Sequence, residues 1–306
     1  MSSTGLPSIA GNVRESAVSL AWAQWAALGS VASSRRRAVA LVDPEALVLL
    51  SLTLREHERR LWDVLRAWIP VAVRLLSVQR TKNLAREFPS STTTAMSEFA
   101  ALAVTEGKDA RWRSLADSAV GNLPPGRGKE WNVTGGFIGA PALMLRLRLG
   151  LGVGLRADAL SYLLARHGEW LPVRAVAAAL GYTEAATRRT LDDLSTARLI
   201  HATVEGQPTT YFADAKPWCD VLGIETPPEW RGWFEIFALL ADLDRWWQST
   251  EAKAATEYAA RTLLRQRLSQ HRAAFVGLAA EGISPPSKKL DVEDLEALLE
   301  RVNESA

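Results

Sequence analysis

The chain has 306 residues, with 36 Lys and Arg against 34 Asp and Glu, and a single cysteine. That length suffices for two or three cores of ordinary size. Cys219 alone excludes an intrachain disulfide, and His57, His167, His201 and His271 lack zinc-ligand spacing, so neither a metal nor a cofactor is expected. No run of about 18 apolar residues marks a membrane span. Met1 to Pro7 lacks the basic-then-apolar order of a secretory signal, so cytoplasmic residence is the expectation.

The near-neutral total hides an uneven distribution. Basic and acidic residues number 12 and 7 over 1–90, 7 and 5 over 91–154, 6 and 7 over 155–214, and 11 and 15 over 215–306. A basic N-terminal third attracts nucleic acid where an acidic C-terminal third does not.

In chain order, apolar residues from Val13 to Leu28 recur on a helical period and stop at Gly29. Asp43 caps a second helix whose first position is Pro44, where no amide proton is needed. A third helix over 59–69 buries Leu61, Trp62, Leu65 and Trp68 and ends at Pro70. Ser77 caps a fourth over 78–88, with Thr81, Leu84, Ala85 and Phe88 on one side and Arg80, Lys82 and Arg86 on the other. Helices over about 95–106 and 109–120 lead to Pro124 to Lys129, a regular-structure break. This Gly-rich stretch is not a phosphate loop: Leu123 replaces the first glycine and Glu130 replaces the hydroxyl residue.

The stretch 155–214 carries the strongest pattern. A first helix over 155–167 precedes a short Ala-rich helix over about 172–180, then Gly181 and Tyr182 form a turn. Thr183 caps a third helix in which Thr187, Leu191 and Leu194 share the inner face. Its outer face presents Glu184, Ala185, Arg188, Arg189 and Asp192, with Asp192 in pairing register with Arg188. Two β-prone runs, 199–204 and 209–212, flank Glu205 to Pro208 as a hairpin. After Pro227 and Pro228, Trp230, Trp233, Trp246 and Trp247 recur at helical spacing, a long helix covers about 251–280, and an amphipathic helix covers 289–302.

Val176 to Thr183, Leu191, Leu194 and Ala197 to Ile200 resemble the winged helix-turn-helix superfamily of bacterial regulators, close in pattern to the ArsR and MarR families. The resemblance covers about 60 residues and implies a helix in the major groove of double-stranded DNA, transcriptional control and a homodimer. The expected architecture is mainly α: a helical basic domain over 1–149, a winged helix over 155–214 with a small hairpin wing, and a helical region over 229–306 that could pair two subunits. Candidate DNA contacts are Thr183, Glu184, Ala185, Arg188, Arg189 and Gln207, with Arg188 and Arg189 suited to guanine or phosphate. Helices 59–69 and 78–88 could form a second helix-turn-helix whose Arg80, Lys82 and Arg86 track the DNA backbone, the alternative being the solvated charged face of a helical bundle.

An enzyme is not expected, since no nucleophile elbow, metal-binding histidine pair or partnered cysteine occurs. His57 reads as exposed, His201 as a half-buried packing residue in a strand, and Cys219 as a small core residue. The wing tip carries Glu205 and no cation, and the segment has more acidic than basic residues, so its own attraction for phosphate is modest. The leading alternative is therefore a protein-binding adaptor or an antitoxin-like component of a bacterial defence system.

Overall fold

Capping chemistry sets most of the helix starts. The computed structural model describes residues 6–30, 38–116, 137–203, 208–279 and 289–304. Helix α1 is Leu6–Ala27, followed by Gly29 at a left-handed φ of 92°. Helix α2 is Pro44–Leu54, where the Asp43 carboxylate accepts from the Ala46 amide at 3.1 Å. Helix α3 is Arg59–Ala72, α4 is Val78–Leu84 capped by Ser77, and α5 is Ser90–Thr105. Helices α6, Leu143–Leu151, and α7, Leu155–Leu164, precede the short strand β1, Leu171–Pro172. Then come α8, Val173–Leu180, and α9, Glu184–Thr196, followed by β2, His201–Ala202, and β3, Thr210–Phe212. The chain continues through α10, Ala215–Leu222; α11, Trp233–Gln248; α12, Thr250–Ala254; α13, Glu257–Gln270; α14, Ala273–Ala279; and α15, Val292–Glu304.

Several boundaries differ from expectation for local reasons. Pro70 lies inside α3 rather than ending it; the helix runs one further half-turn because Val73 N still donates to Ile69 O beyond the missing proline amide. The fourth helix stops at Leu84 and tightens into a 3-10 turn over Ala85–Glu87. The long helix expected over 251–280 is three pieces, because Thr256 caps a fresh start and His271 leaves helical geometry. Asp109 caps only a 3-10 turn, Ala110–Trp112, where a helix was expected. Helix α6 was not expected, and strand β1 joins the hairpin to give a sheet of order β1-β3-β2, antiparallel throughout, with Leu171 opposite Tyr211 and His201 opposite Phe212.

The apolar residues gather into two cores. One unites α1 to α5 with α11, α13, α14 and α15, so apolar residues from both ends of the chain share it. Helix α2 runs through its middle, with only Thr53 along its length escaping full burial. Trp25 donates to Ser51 Oγ at 2.9 Å and meets Trp68 edge-on at 5.5 Å. Trp233 and Trp246 are core residues here, and the stripe Val292, Leu295, Leu298, Leu299 and Val302 of α15 is buried within the chain. Asn303 donates to Ser16 Oγ on α1 at 2.8 Å, so of the two uses open to this helix, pairing subunits or packing within the chain, the second is the one seen. The other core belongs to α6 to α9 and the sheet, with Leu160, Val176, Leu180, Leu191 and Tyr211 at its centre. Both ends of this central segment are tied to one place on the body: Leu41 N donates to Glu229 O and Val42 N to Pro141 O, each at 2.9 Å.

A buried ion network joins the two cores. Arg80, fully buried, donates to both Asp43 carboxylate oxygens and to Glu45 Oε2, each at 2.6 Å, and through Nε to Leu180 O at 2.9 Å. Arg148 donates to Glu45 at 2.6 and 3.1 Å, to Asp158 at 2.7 and 3.0 Å, and to Leu75 O at 2.9 Å. Tyr182 donates to Asp158 Oδ2 at 2.9 Å, and Ser77 N to Glu45 Oε1 at 2.7 Å. Burial alone would raise the Glu45 carboxyl, but Arg148 and Arg80 beside it hold it down to about 2. Burial likewise opposes the charge on Arg80 and Arg148, and their carboxylate partners reverse that effect and raise both.

Two outcomes follow from the network. Arg148→Met leaves Glu45 and Asp158 buried without their main cation, and urea unfolding should register a loss of about 3–5 kcal/mol. Because the folded carboxyl of Glu45 lies below its ordinary value of 4.5, its contribution is present above that pH and disappears as pH falls toward 2. Thermal melting across that acid range should therefore fall steeply in the parent and less steeply in Glu45→Gln, which starts from a lower stability.

Candidate nucleic-acid interface

The outer face of α9 is built by what its inner face must bury. Thr187, Leu191 and Leu194 are buried at spacings of four and three, which turns Glu184, Ala185, Arg188, Arg189, Asp192 and Asp193 to solvent. Thr183 starts the helix in extended geometry, and its Oγ1 accepts from Ala186 N at 3.4 Å. The preceding turn depends on Gly181, whose φ of 71° is left-handed and whose absent Cβ would sit 3.2 Å from Leu84 on α4. Tyr182 then reaches back to Asp158, so the turn is anchored on both sides.

Charge on this face is arranged differently from the helical register. Asp192 accepts from the buried Tyr211 hydroxyl at 2.5 Å rather than pairing with Arg188. Burial and this bond to Asp192 push the Tyr211 phenol up to about 12, so it remains a donor at neutral pH. Asp193 pairs with the exposed Arg156 at 3.2 Å. Arg188 makes no salt bridge among the described residues, and Arg189 makes only a 3.4 Å contact from Nε to Ala185 O. Neither guanidinium is thus engaged by a carboxylate among the described residues, and the two stand together in the middle of an exposed helix face that also carries Glu184, Asp192 and Asp193.

The basic helix expected beside it is a correction. Arg80 is not on a solvated side: it is fully enclosed and bound to Asp43, Glu45 and Leu180 O, so it cannot follow a DNA backbone. Lys82 is half-buried and Arg86 exposed, the latter on the 3-10 turn after α4. Gln207, Glu205, Arg35 to Arg37 and the Pro124 to Lys129 break lie outside the described residues. His201 is exposed and stacks on Phe212 at 5.6 Å, contrary to the half-buried role expected, while Phe212 also meets the half-exposed Trp170 at 5.3 Å. His57 is exposed as expected, with Nε2 3.7 Å from Asp244, and Cys219 is buried.

The sequence does not single out Arg148, Asp158 and Tyr182 as anchors. A signal existed for Arg148: it sits among Leu143, Met144, Leu145 and Leu147, all buried, and an arginine within such a run needs a buried partner. Nothing local identifies that partner, since Glu45 is 103 positions away.

Comparison with family models, curated proteins and solved structures finds no match. The role of this face therefore rests on its own geometry. Its helix start is open to a direct check. Thr183→Ala removes the capping acceptor, and the expected result is a loss of about 1 kcal/mol, with faster amide exchange confined to the first turn of α9.

Proposed function

We propose that residues 155–214 form a winged helix-turn-helix and that the protein is a DNA-binding regulator of transcription. In this reading α9 enters the major groove of double-stranded DNA, and β2 and β3 form the wing beside it. The observation that carries it is the exposed pair Arg188 and Arg189, whose guanidinium groups make no salt bridge among the described residues although Asp192 lies within reach along the helix. Tyr211 holds that carboxylate, which leaves both guanidinia able to bind guanine or phosphate through two nitrogens. Ala185 on the same face allows close approach to the groove floor, and Thr183 and Glu184 lie at the helix start where base edges are met. Binding as a homodimer to a two-fold repeated site is part of the proposal.

A second reading, a protein-binding adaptor or antitoxin-like component, has one observation in its favour. With Arg80 enclosed, the helical body offers only Lys82 and Arg86 where three cations were expected, so the electrostatic support for DNA beside α9 is thin.

The deciding measurement is fluorescence anisotropy with a duplex taken from immediately upstream of the coding sequence, at two salt concentrations. The parent should prefer this duplex over a scrambled one, and Arg188→Ala or Arg189→Ala should each remove about 1–3 kcal/mol of that preference. Lys82→Ala with Arg86→Ala should flatten the salt slope by about 0.9 for each phosphate that is no longer neutralised. Absence of binding by the parent at low salt would refute the regulator and leave protein docking as the function.

A further inference from the structure

Where the two cores face each other, the chain leaves a cleft of about 650 Å³, within the range that metabolite-sized ligands occupy. Its walls come from the end of α7, from α8, from the segment before α11, and from α11, α14 and α15. Three arginines line it: Arg166 after α7, Arg231 before α11 and Arg301 on α15. Each has a carboxylate neighbour on its own element or loop, namely Glu169 at 2.6 Å, Glu229 at 3.1 Å and Glu304 at 3.5 Å. All three of those carboxylates are more than half exposed, so water screens these contacts. Arg166 Nε is buried and donates to nothing among the described residues.

The rest of the lining completes a binding surface. Trp230 is half-buried in the wall, fixed edge-on against Tyr162 at 4.7 Å, with its amide donating to Ala165 O at 3.0 Å. Glu235, in the first turn of α11, makes no salt bridge among the described residues. Burial raises its carboxyl, and Asp43 nearby adds to the shift. The rim also reaches Ala179 of α8, two positions before the turn that leads into α9.

We propose that this cleft binds a small organic anion, a phosphate or carboxylate of metabolite size, held by Arg166, Arg231 and Arg301 and covered on one side by Trp230. Guanidinium groups recognise both kinds of acid through paired N–H donors. Glu235 accepts from a hydroxyl or amine carried by the same molecule. The site stands apart from the DNA face and does not depend on what α9 binds.

The test is isothermal titration calorimetry of the full chain with inorganic pyrophosphate and, separately, citrate, accompanied by tryptophan fluorescence. At least one probe should bind at a single site and change a fluorescence signal that Trp230→Phe removes. Arg166→Gln and Arg301→Gln, both at partly exposed positions where folding is retained, should each weaken binding about tenfold. Glu235→Gln should tighten pyrophosphate, which brings no hydroxyl or amine for that carboxylate, and Arg265→Gln, a surface change outside the cleft, should leave binding of either probe unaltered. Response to pyrophosphate alone assigns a phosphate ligand, and response to citrate alone a carboxylate. If neither probe binds, or if Arg166→Gln and Arg301→Gln bind as the parent and Arg265→Gln do, the proposal is wrong.

Discussion

Two arginines and three carboxylates, none with meaningful access to water, hold this protein's architecture in register. Removing so many charges from solvent is costly, and attraction among them offsets that cost only with close geometry and satisfied donors. Arg148 meets the condition fully, since its five N–H groups are matched by two carboxylates and the Leu75 carbonyl. An apolar substitute of the same volume could fill the space, but it would not specify which helices meet. The bonds from Arg80 to Asp43 and Leu180 set α4 against both α2 and the end of α8. Tyr182 extends the same constraint to the start of α9. The start of α9, and with it the placement of its exposed arginines, is thus fixed by side chains buried between the two cores.

This arrangement sets the order in which the chain can become stable. The first core contains residues from α1 and α15, brought together by contacts such as Ser16 with Asn303. Those contacts span nearly the whole chain, so ordering the intervening residues precedes any gain from them. The second core is built from neighbours in sequence, α6 to α9 and the sheet, and its closures are short. The body's core thus depends on contacts of much longer range in sequence than most of those in the module.

What the residues disclosed in advance follows from range. The caps at Asp43, Ser77 and Thr183 and the inner face of α9 depend on positions three or four apart, and the structure has them as expected. The mainly helical content follows from the same short periods. Arg80 was misplaced because it belongs to a polar run with Gln79 and Lys82 in sequence, whereas a helix puts residues four apart on one face and Leu84 therefore marks the side of Arg80 as the buried one. Only its distant partners make burial possible, and Leu180 is 100 positions away. Asp192 shows the same contrast on a smaller scale. Register along the helix favours Arg188, whereas Tyr211 arrives from β3 and takes the bond. The cleft is still less visible, because its arginines derive from three stretches that share no pattern.

The paired ties from Leu41 and Val42 to Glu229 and Pro141 give the central segment a distinctive mechanical character. It leaves and rejoins the body at adjacent backbone positions, like a bracket fastened by two bolts on one plate. A single strand of chain would act as a swivel. Two strands side by side resist twisting about their common line, and the buried arginines Arg80 and Arg148 fasten the same joint from within, so module and body keep one relative orientation.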